Sequence, residues 1–296
     1  MPKCFVNGTE LHYHTSGTGI PVIFIHPPLL TSSTFNYQVP ELSQYCQVIT
    51  FDIRGHGQSA PSAPPLTYDL IAEDMNQLLR HLRIEQAFVC GYSAGGTIAL
   101  HAMLQHPERY LGGILLSAMS EVNDWWLKTR LAAATQFMRA PLDKFMHLGI
   151  CWGNKDSRTT FRKLLSTAKH GNRKNIRQYY DYSRSYSCTK QLQRIKQPVL
   201  LVYGQKDRSF YRYAELMHRL LPASNLYFMR DVSHQLPTKA GDRLNQLILR
   251  WLSMQAIESS QESGDLKRHA KDGYEALIAL GKLWNEQEHI HRQPDI

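Results

Sequence analysis

A single serine stands between a strand-like run and a helix-like run, and this arrangement constrains the fold most strongly. Residues 87–90 are four apolar residues typical of a buried strand, and residues 97–104 have the composition of a helix. Between them lies Gly91-Tyr92-Ser93-Ala94-Gly95. A strand that passes directly into a helix holds the serine in a strained, exposed geometry, and the two glycines let the elements approach without a clash. Because such strain is usually kept where chemistry needs it, Ser93 is predicted to be functional.

Short apolar runs alternate with amphipathic helix patterns along most of the chain. Further strand-like runs occupy residues 22–25, 48–51, 113–116, 199–203 and 225–229. Runs that are apolar on both faces are typical of parallel strands covered by helices. Helical spacing of apolar residues occurs over residues 68–82, 213–221 and 240–254. We therefore predict an α/β fold: a mostly parallel, doubly wound sheet of about eight strands, starting with a hairpin around Asn7-Gly8.

One long segment breaks this rhythm and divides the predicted domain. Residues 121–190 are helix-prone and rich in aromatic side chains, and they are too long for a simple connection. We interpret them as a helical cap inserted over the end of the sheet, with residues 1–120 and 191–254 forming the core. The alternative is a helical excursion packed away from any site.

The last part of the chain, residues 255–296, has a different character. We predict a linker at residues 259–265, followed by a C-terminal extension with a short amphipathic helix over residues 273–285. This helix docks either on this protein or on a partner. A partly ordered polar tail is the alternative.

The excess positive charge is confined to the cap segment. Residues 121–190 hold 14 Lys and Arg against 5 Asp and Glu, whereas the rest of the chain is balanced at 20 of each. Such a segment suits an anionic small-molecule substrate, or holds the protein near anionic lipid or a carrier. The alternative is a solvated cationic face above buried aromatic residues. Because no recognition motif accompanies the charge, nucleic-acid binding is not expected.

Composition restricts the remaining classes of protein. With 43% hydrophobic residues the chain can bury a sizeable core, yet it has no apolar run long enough to span a membrane. The residues Met1-Pro2-Lys3-Cys4 lack the apolar core of a signal peptide. The five cysteines form no C-x-x-C pair, which argues against a disulfide framework or a zinc site. We expect a soluble cytoplasmic protein, monomeric or homodimeric, that needs no metal ion or other cofactor.

Two downstream residues supply what a reactive serine requires. A serine hydroxyl is a poor nucleophile until a base, usually a histidine oriented by a carboxylate, removes its proton. Asp207 follows the predicted strand at residues 199–203, and His234 follows the one at residues 225–229. Open α/β sheets place their ligands beyond the carboxyl ends of such strands, and the order Ser, Asp, His is the one expected for this elbow.

Other residues compete for the role of the acid. Asp231 and Asp124 are alternatives to Asp207. Ser117 occupies the end of the strand predicted at residues 113–116, which argues against an acid at that position.

The chain resembles the α/β-hydrolase superfamily in its single-domain form, with a helical cap between the sixth and seventh strands. The resemblance covers roughly residues 5–253. It rests on the Ser93 elbow, on residues 204–207, on His234 and on two motifs, Phe24-Ile25-His26-Pro27-Pro28 and Phe51-Asp52-Ile53-Arg54-Gly55-His56-Gly57-Gln58-Ser59. The second motif is an architectural turn in which Arg54 bonds nearby carbonyl groups. Haloalkane dehalogenases and epoxide hydrolases of this fold carry an aspartate at the elbow, so Ser93 implies acyl transfer instead.

The resemblance also predicts how the oxyanion of the reaction is held. The Ala94 N–H is the first donor. The second donor would come from Pro28, two residues beyond His26, but proline has no N–H. The Leu29 N–H or the Thr31 hydroxyl would replace it after a shift of the loop; otherwise the hole is half-built and activity is modest.

Together these features predict a serine hydrolase that cleaves a small carboxylic ester, thioester or lactone through an acyl-enzyme. Aromatic side chains suit an apolar acyl pocket, for which the candidates are His26, Tyr92, Trp125 and Trp126. One fold hosts many chemistries, so three alternatives stay open. They are a C–C bond hydrolase, a cofactor-free perhydrolase, and a low-turnover ligand-binding or regulatory protein.

Overall fold

Eight strands form one twisted sheet in the computed structural model, which describes residues 2–138, 142–262 and 274–281. Their order is β1-β2-β4-β3-β5-β6-β7-β8, antiparallel at the β1–β2 and β2–β4 pairs and parallel elsewhere. The prediction of a mostly parallel sheet that begins with a hairpin is confirmed. The strands are β1 Lys3–Val6, β2 Thr9–Ser16, β3 Ile20–Ile25, β4 Cys46–Phe51, β5 Ala87–Tyr92, β6 Tyr110–Leu116, β7 Val199–Gly204 and β8 Ser224–Met229.

Helices cover both faces of this sheet, as expected for strands that are apolar on both sides. The central strands β5 and β7 are buried along their whole length. One hydrophobic cluster joins the sheet to α2, α3 and α8, and a second joins it to α1 and α10. These helices are α1 Gln38–Leu42, α2 Tyr68–His81, α3 Ala94–Gln105, α8 Tyr211–Leu220 and α10 Gly241–Glu262.

The segment predicted as a cap is helical. It contains α4 Trp125–Phe137, α5 Asp143–Asn154, α6 Arg158–Ala168 and α7 Arg173–Ser185, and a short α9 Leu236–Lys239 follows β8 in the core. A bridge between Glu121 and Ser187 brings the two ends of the segment together. This pairing lets the chain leave the sheet after β6 and return before β7. The division of the chain at residues 120 and 190 stays a prediction.

The turn after β4 ties the sheet to α2 through buried charges. Arg54 donates from Nε to Asp74 Oδ2 at 2.6 Å and from its terminal nitrogen to the Asn7 carbonyl at 3.0 Å. Asp52 accepts from the Gln58 N–H at 3.0 Å. A Cβ on Gly57 would lie 2.2 Å from an Asp52 carboxylate oxygen, so the turn requires glycine there. Because breaking a buried ion pair is costly, these contacts serve the architecture that the sequence predicted for this motif.

The C-terminal prediction is corrected in part. Residues 259–262, expected in a linker, form the last turn of α10. Residues 274–281 are helical, and Tyr274 and Leu277 are buried in the same cluster as Trp251 of α10. This helix therefore docks on the protein itself, because its apolar face covers side chains that α10 would otherwise expose. Residues 263–273 and 282–296, which include the rest of both predictions, lie outside the described residues.

None of the helices within the described ranges is both long enough and apolar enough to cross a membrane.

Candidate active site

Ser93 occupies a sharp corner between β5 and α3. Its φ is 54°, a left-handed value that costs energy for any residue with a side chain. The corner is held because the Ser93 N–H donates to the Leu116 carbonyl at 2.8 Å. Neither flanking glycine has room for a side chain. A Cβ on Gly91 would lie 2.3 Å from the Gly95 carbonyl oxygen, and a Cβ on Gly95 would lie 2.3 Å from the Ile25 carbonyl oxygen. These contacts explain the two glycines of the sequence pattern.

The structure brings the three predicted residues together in one hydrogen-bonded chain. Ser93 Oγ lies 3.0 Å from His234 Nε2, and His234 Nδ1 lies 2.7 Å from Asp207 Oδ2. The second Asp207 oxygen accepts from the Ser209 hydroxyl at 3.1 Å, and the side chain is 9% exposed. Because a carboxylate only accepts, Nδ1 carries the proton in this arrangement and Nε2 is left to accept one from Ser93.

The loop that carries His234 is fixed by groups that sequence reasoning did not assign to the site. The buried Ser117 hydroxyl donates to the His234 carbonyl at 3.0 Å, and the Phe210 ring packs with its centroid 4.4 Å from that of the imidazole. A Cβ on Gly204 would lie 2.2 Å from the Ser233 carbonyl oxygen. The only signal for Ser117 in the sequence was its place at the end of β6, which lies beside β5 and β7.

The two alternative acids are engaged elsewhere. Asp231 is 78% exposed and lies 3.0 Å from Lys206 Nζ, whose hydrogen bond lowers the pKa of that carboxyl. Asp124 caps α4 by accepting from the Leu127 N–H at 2.7 Å, and it also accepts from the Tyr213 hydroxyl. Among the described contacts, only the Asp207 carboxylate bonds to His234.

The loop after β3 carries the residues that the sequence predicts as the second oxyanion donor. Pro28 has no N–H, but the next residue, Leu29, has a φ of 71° and turns the chain. Its N–H forms no hydrogen bond within the described part of the chain, nor does the Ala94 N–H at the start of α3. The Thr31 hydroxyl is already paired with Ser33 Oγ at 2.7 Å and Thr167 Oγ1 at 2.8 Å. Of the two predicted replacements for Pro28, only the Leu29 N–H is without a partner among the described residues.

His26 supports this loop and does not line the cavity, which corrects its assignment to the substrate pocket. It is 0% exposed, and its Nε2 accepts from the Ile53 N–H at 2.9 Å while Nδ1 donates to the Pro27 carbonyl at 2.9 Å. The Tyr179 hydroxyl donates to the His26 carbonyl at 3.1 Å. Burial lowers the pKa of His26, which suits the neutral ring that these bonds require.

A cavity of about 570 Å³ opens at Ser93 and His234. Helices α4 and α5 form much of its wall, so the cap segment lies over the site and is not a remote excursion. Most lining side chains are apolar, including Met119, Leu131, Met146, Ile150 and Phe210.

The cavity wall includes only one of the three aromatic residues of the predicted pocket. Tyr92 lines the cavity and donates its hydroxyl to Asn154 Oδ1 at 3.0 Å. Trp125 and Trp126 are 72% and 61% exposed and are absent from the wall, which corrects their assignment. The cavity-facing stripe of α4 starts at Leu127 and continues through Leu131, so both tryptophans precede it.

Among the described residues that line the cavity, cations outnumber carboxylates. Arg130 and Lys206 are the cations among the described lining residues, and Lys206 is paired with Asp231. Arg130 forms no ion pair with any described residue. The one lining carboxylate in that set, Asp207, is bonded to His234. Within the described part of the chain, Arg130 is therefore an exposed positive charge at the cavity wall without a described counter-charge.

Comparisons with known proteins identify the fold. A family model described as the alpha/beta hydrolase fold matches residues 20–236. The human serine hydrolase BPHL is 27% identical over 257 residues, covering 83% of this chain and 84% of that protein. The 3-oxoadipate enol-lactonase 2 of Acinetobacter baylyi is 27% identical over 205 residues, covering 67% of this chain and 76% of the enzyme. A thermophilic esterase from Thermogutta terrifontis, 23% identical, superposes with a TM-score of 0.74 over 86% of this chain and 99% of its own.

Proposed function

This chain belongs to the α/β-hydrolase family, and from that premise we propose that it is a serine hydrolase that cleaves a small carboxylic ester, thioester or lactone. The observation that carries the proposal is the hydrogen-bonded chain from Ser93 through His234 to Asp207, which faces a largely apolar cavity. The similarity to esterases and an enol-lactonase supports the same class of reaction.

The proposed reaction begins when Ser93 Oγ attacks the carbonyl carbon and His234 Nε2 takes its proton. Asp207 holds the imidazolium that forms. As the tetrahedral intermediate collapses, His234 returns the proton to the departing alcohol or thiol, and the acyl group stays on Ser93. His234 next takes a proton from water as this water attacks the carbonyl carbon of the acyl-enzyme. When the second intermediate collapses, His234 returns the proton to Ser93 Oγ and the acid departs.

The negative oxygen of both intermediates needs donors that are fixed before the reaction starts. The N–H groups of Ala94 and Leu29 are proposed for this role, since neither bonds to another described residue. One such donor contributes about 3 kcal/mol, or roughly two orders of magnitude in kcat. We thus propose that the left-handed turn at Leu29 lets its N–H replace the donor that Pro28 lacks.

A carboxylate on the substrate is proposed as the partner of Arg130. The side chain belongs to the mainly apolar cavity wall, is exposed to solvent, and has no ion-pair partner among the described residues. A substrate with an apolar body and one anionic end would match both properties. Because Arg130 is exposed, an ion pair with the substrate is worth about 0.2–1 kcal/mol, which gives a modest preference between substrates.

Arg130→Gln is expected to change selectivity between charged and neutral substrates. For 4-nitrophenyl hemisuccinate, kcat/KM should fall by roughly 2-fold to 5-fold, because the substrate carboxylate loses a solvent-exposed partner. For neutral 4-nitrophenyl butyrate it should stay near that of the unaltered protein. Lys128→Gln, on the same helix but absent from the cavity wall, is the control. Equal losses on both esters would contradict the role of Arg130 in recognition.

A fluorophosphonate probe tests the proposed function itself, because it labels only an activated serine. Intact-mass analysis and peptide mapping should find a single adduct on Ser93, and His234→Ala should not form it. A panel of esters, thioesters and lactones would then identify the class that turns over. If the folded protein forms no adduct and hydrolyses nothing in the panel, the proposal fails and the low-turnover binding protein becomes the better reading.

A further inference from the structure

Helix α5 carries an apolar stripe on its outer side. Leu142, Phe145, Leu148 and Trp152 are 41%, 66%, 45% and 61% exposed. Their spacing of three, three and four residues places them on one face of the helix. We refer to these four side chains as the α5 stripe.

None of these four side chains belongs to the core formed by the described residues. The opposite side of α5 already packs inward, where Met146 and Ile150 line the cavity and Cys151 is 0% exposed. Among the described residues, ten large hydrophobic side chains are exposed, and seven of them belong to helices α4 and α5 or to Leu142 before α5. Trp125 and Trp126 are two of these, with ring centroids 5.1 Å apart. A concentration of exposed apolar groups of this kind marks an interaction surface.

The charge around the stripe indicates what kind of partner fits. The cap segment has 14 basic against 5 acidic residues, while the rest of the chain is balanced. Lys155 places its ammonium group 2.8 Å from the centre of the Trp152 ring, so a cation borders the stripe directly. No described carboxylate forms an ion pair with Lys155, and Asp143 is paired with Arg173 at 3.7 Å. The partner is therefore expected to be anionic.

These two properties favour a lipid surface over a second copy of the chain. Two copies that meet at this face would bring two positively charged caps together, which is unfavourable. An anionic bilayer suits both the apolar and the basic side chains. Trp, Phe and Leu enter the boundary between headgroups and acyl chains, and Lys and Arg pair with lipid phosphates. We propose that the α5 stripe, with Lys155 beside it and the basic excess of the cap segment, docks the protein on the surface of an anionic phospholipid bilayer. This docking uses the outer side of the cap and does not depend on the proposed hydrolase activity.

Vesicle co-sedimentation of the full chain tests this proposal. The protein should bind vesicles of phosphatidylcholine mixed with phosphatidylglycerol, and bind them less at high salt, since exposed charges are then screened. The double variant Phe145→Ser and Trp152→Ser should bind at least about 10-fold more weakly, because two large apolar side chains no longer enter the bilayer. Phe5→Ser removes a side chain that is 77% exposed but far along the chain from the cap, and it should bind normally.

The far-UV spectrum and the turnover of a soluble ester show whether the double variant retains the fold. Equal binding by the folded double variant would overturn the role of the stripe. Equally strong binding to phosphatidylcholine alone would overturn the role of charge. A dimer that the double variant dissociates, without binding to vesicles, would assign the surface to a second copy of the chain instead.

Discussion

Ser93→Ala is expected to lower kcat for ester hydrolysis by about four orders of magnitude or more, with the fold retained. Ser93 Oγ is the hydroxyl oxygen that lies 3.0 Å from His234 Nε2, so its removal leaves the base without the atom it activates. Alanine keeps the Cβ at the same φ, so the backbone strain at the corner should be unchanged. The measurement is kcat with a 4-nitrophenyl ester, together with the melting temperature.

A second serine variant separates this effect from the loss of any buried hydroxyl. Ser120 is buried, and its hydroxyl bonds to Thr189 Oγ1 at 2.8 Å, not to a residue of the site. Ser120→Ala should therefore lose some stability and keep its kcat. Turnover close to that of the unaltered protein in a folded Ser93→Ala variant would show that another residue performs the chemistry.

Asp207→Asn is expected to reduce kcat by up to about four orders of magnitude, the size of effect of the same change in a Ser-His-Asp protease. The amide has almost the same shape as the carboxylate, but it carries no charge to stabilise the imidazolium. It also permits the wrong tautomer of His234, in which Nε2 holds the proton and does not accept one from Ser93. Because Asp207 is only 9% exposed, water does not replace the lost interaction between the carboxylate and the His234 imidazolium.

Asp231→Asn is the matched control, since this residue precedes His234 by three positions and bonds to Lys206 instead. It should leave kcat nearly unchanged. If Asp231→Asn inactivates the protein while Asp207→Asn is nearly silent, Asp231 is the acid, and the arrangement of the site changes in solution. The pair of variants thus tests a choice that the sequence left open.

Much of the core was predictable because its signals are local. A strand buried on both faces must be apolar throughout, and β5 and β7 display this over six residues each. The Ser93 corner requires glycine on both sides because a side chain there would clash, and Gly91 and Gly95 stand at these positions in the sequence. The end of α10 was placed too early, because the polar residues 259–262 look like a linker when the helix at residues 274–281 is not in view.

The composition of the cavity wall was not predictable in the same way. Trp125 and Trp126 looked like pocket residues because they are aromatic, but the pitch of α4 turns Leu127 and Leu131 to the cavity and leaves both tryptophans exposed. His26 looked like a pocket residue because it lies in the loop after β3, but both of its ring nitrogens form hydrogen bonds, one to the Pro27 carbonyl and one to the Ile53 N–H.

By itself the sequence determined the α/β architecture, the serine at the elbow and the order of its partners, because each follows from local sterics or from residues at the ends of strands. Only the tertiary structure decided which carboxylate reaches His234, that Ser117 fixes its loop, and that Leu29 turns where Pro28 has no N–H. These points depend on distances between residues that are far apart in the chain. Residue type and spacing constrain such distances only weakly. The packing of the sheet, the loops and the cap brings these residues to hydrogen-bonding distance.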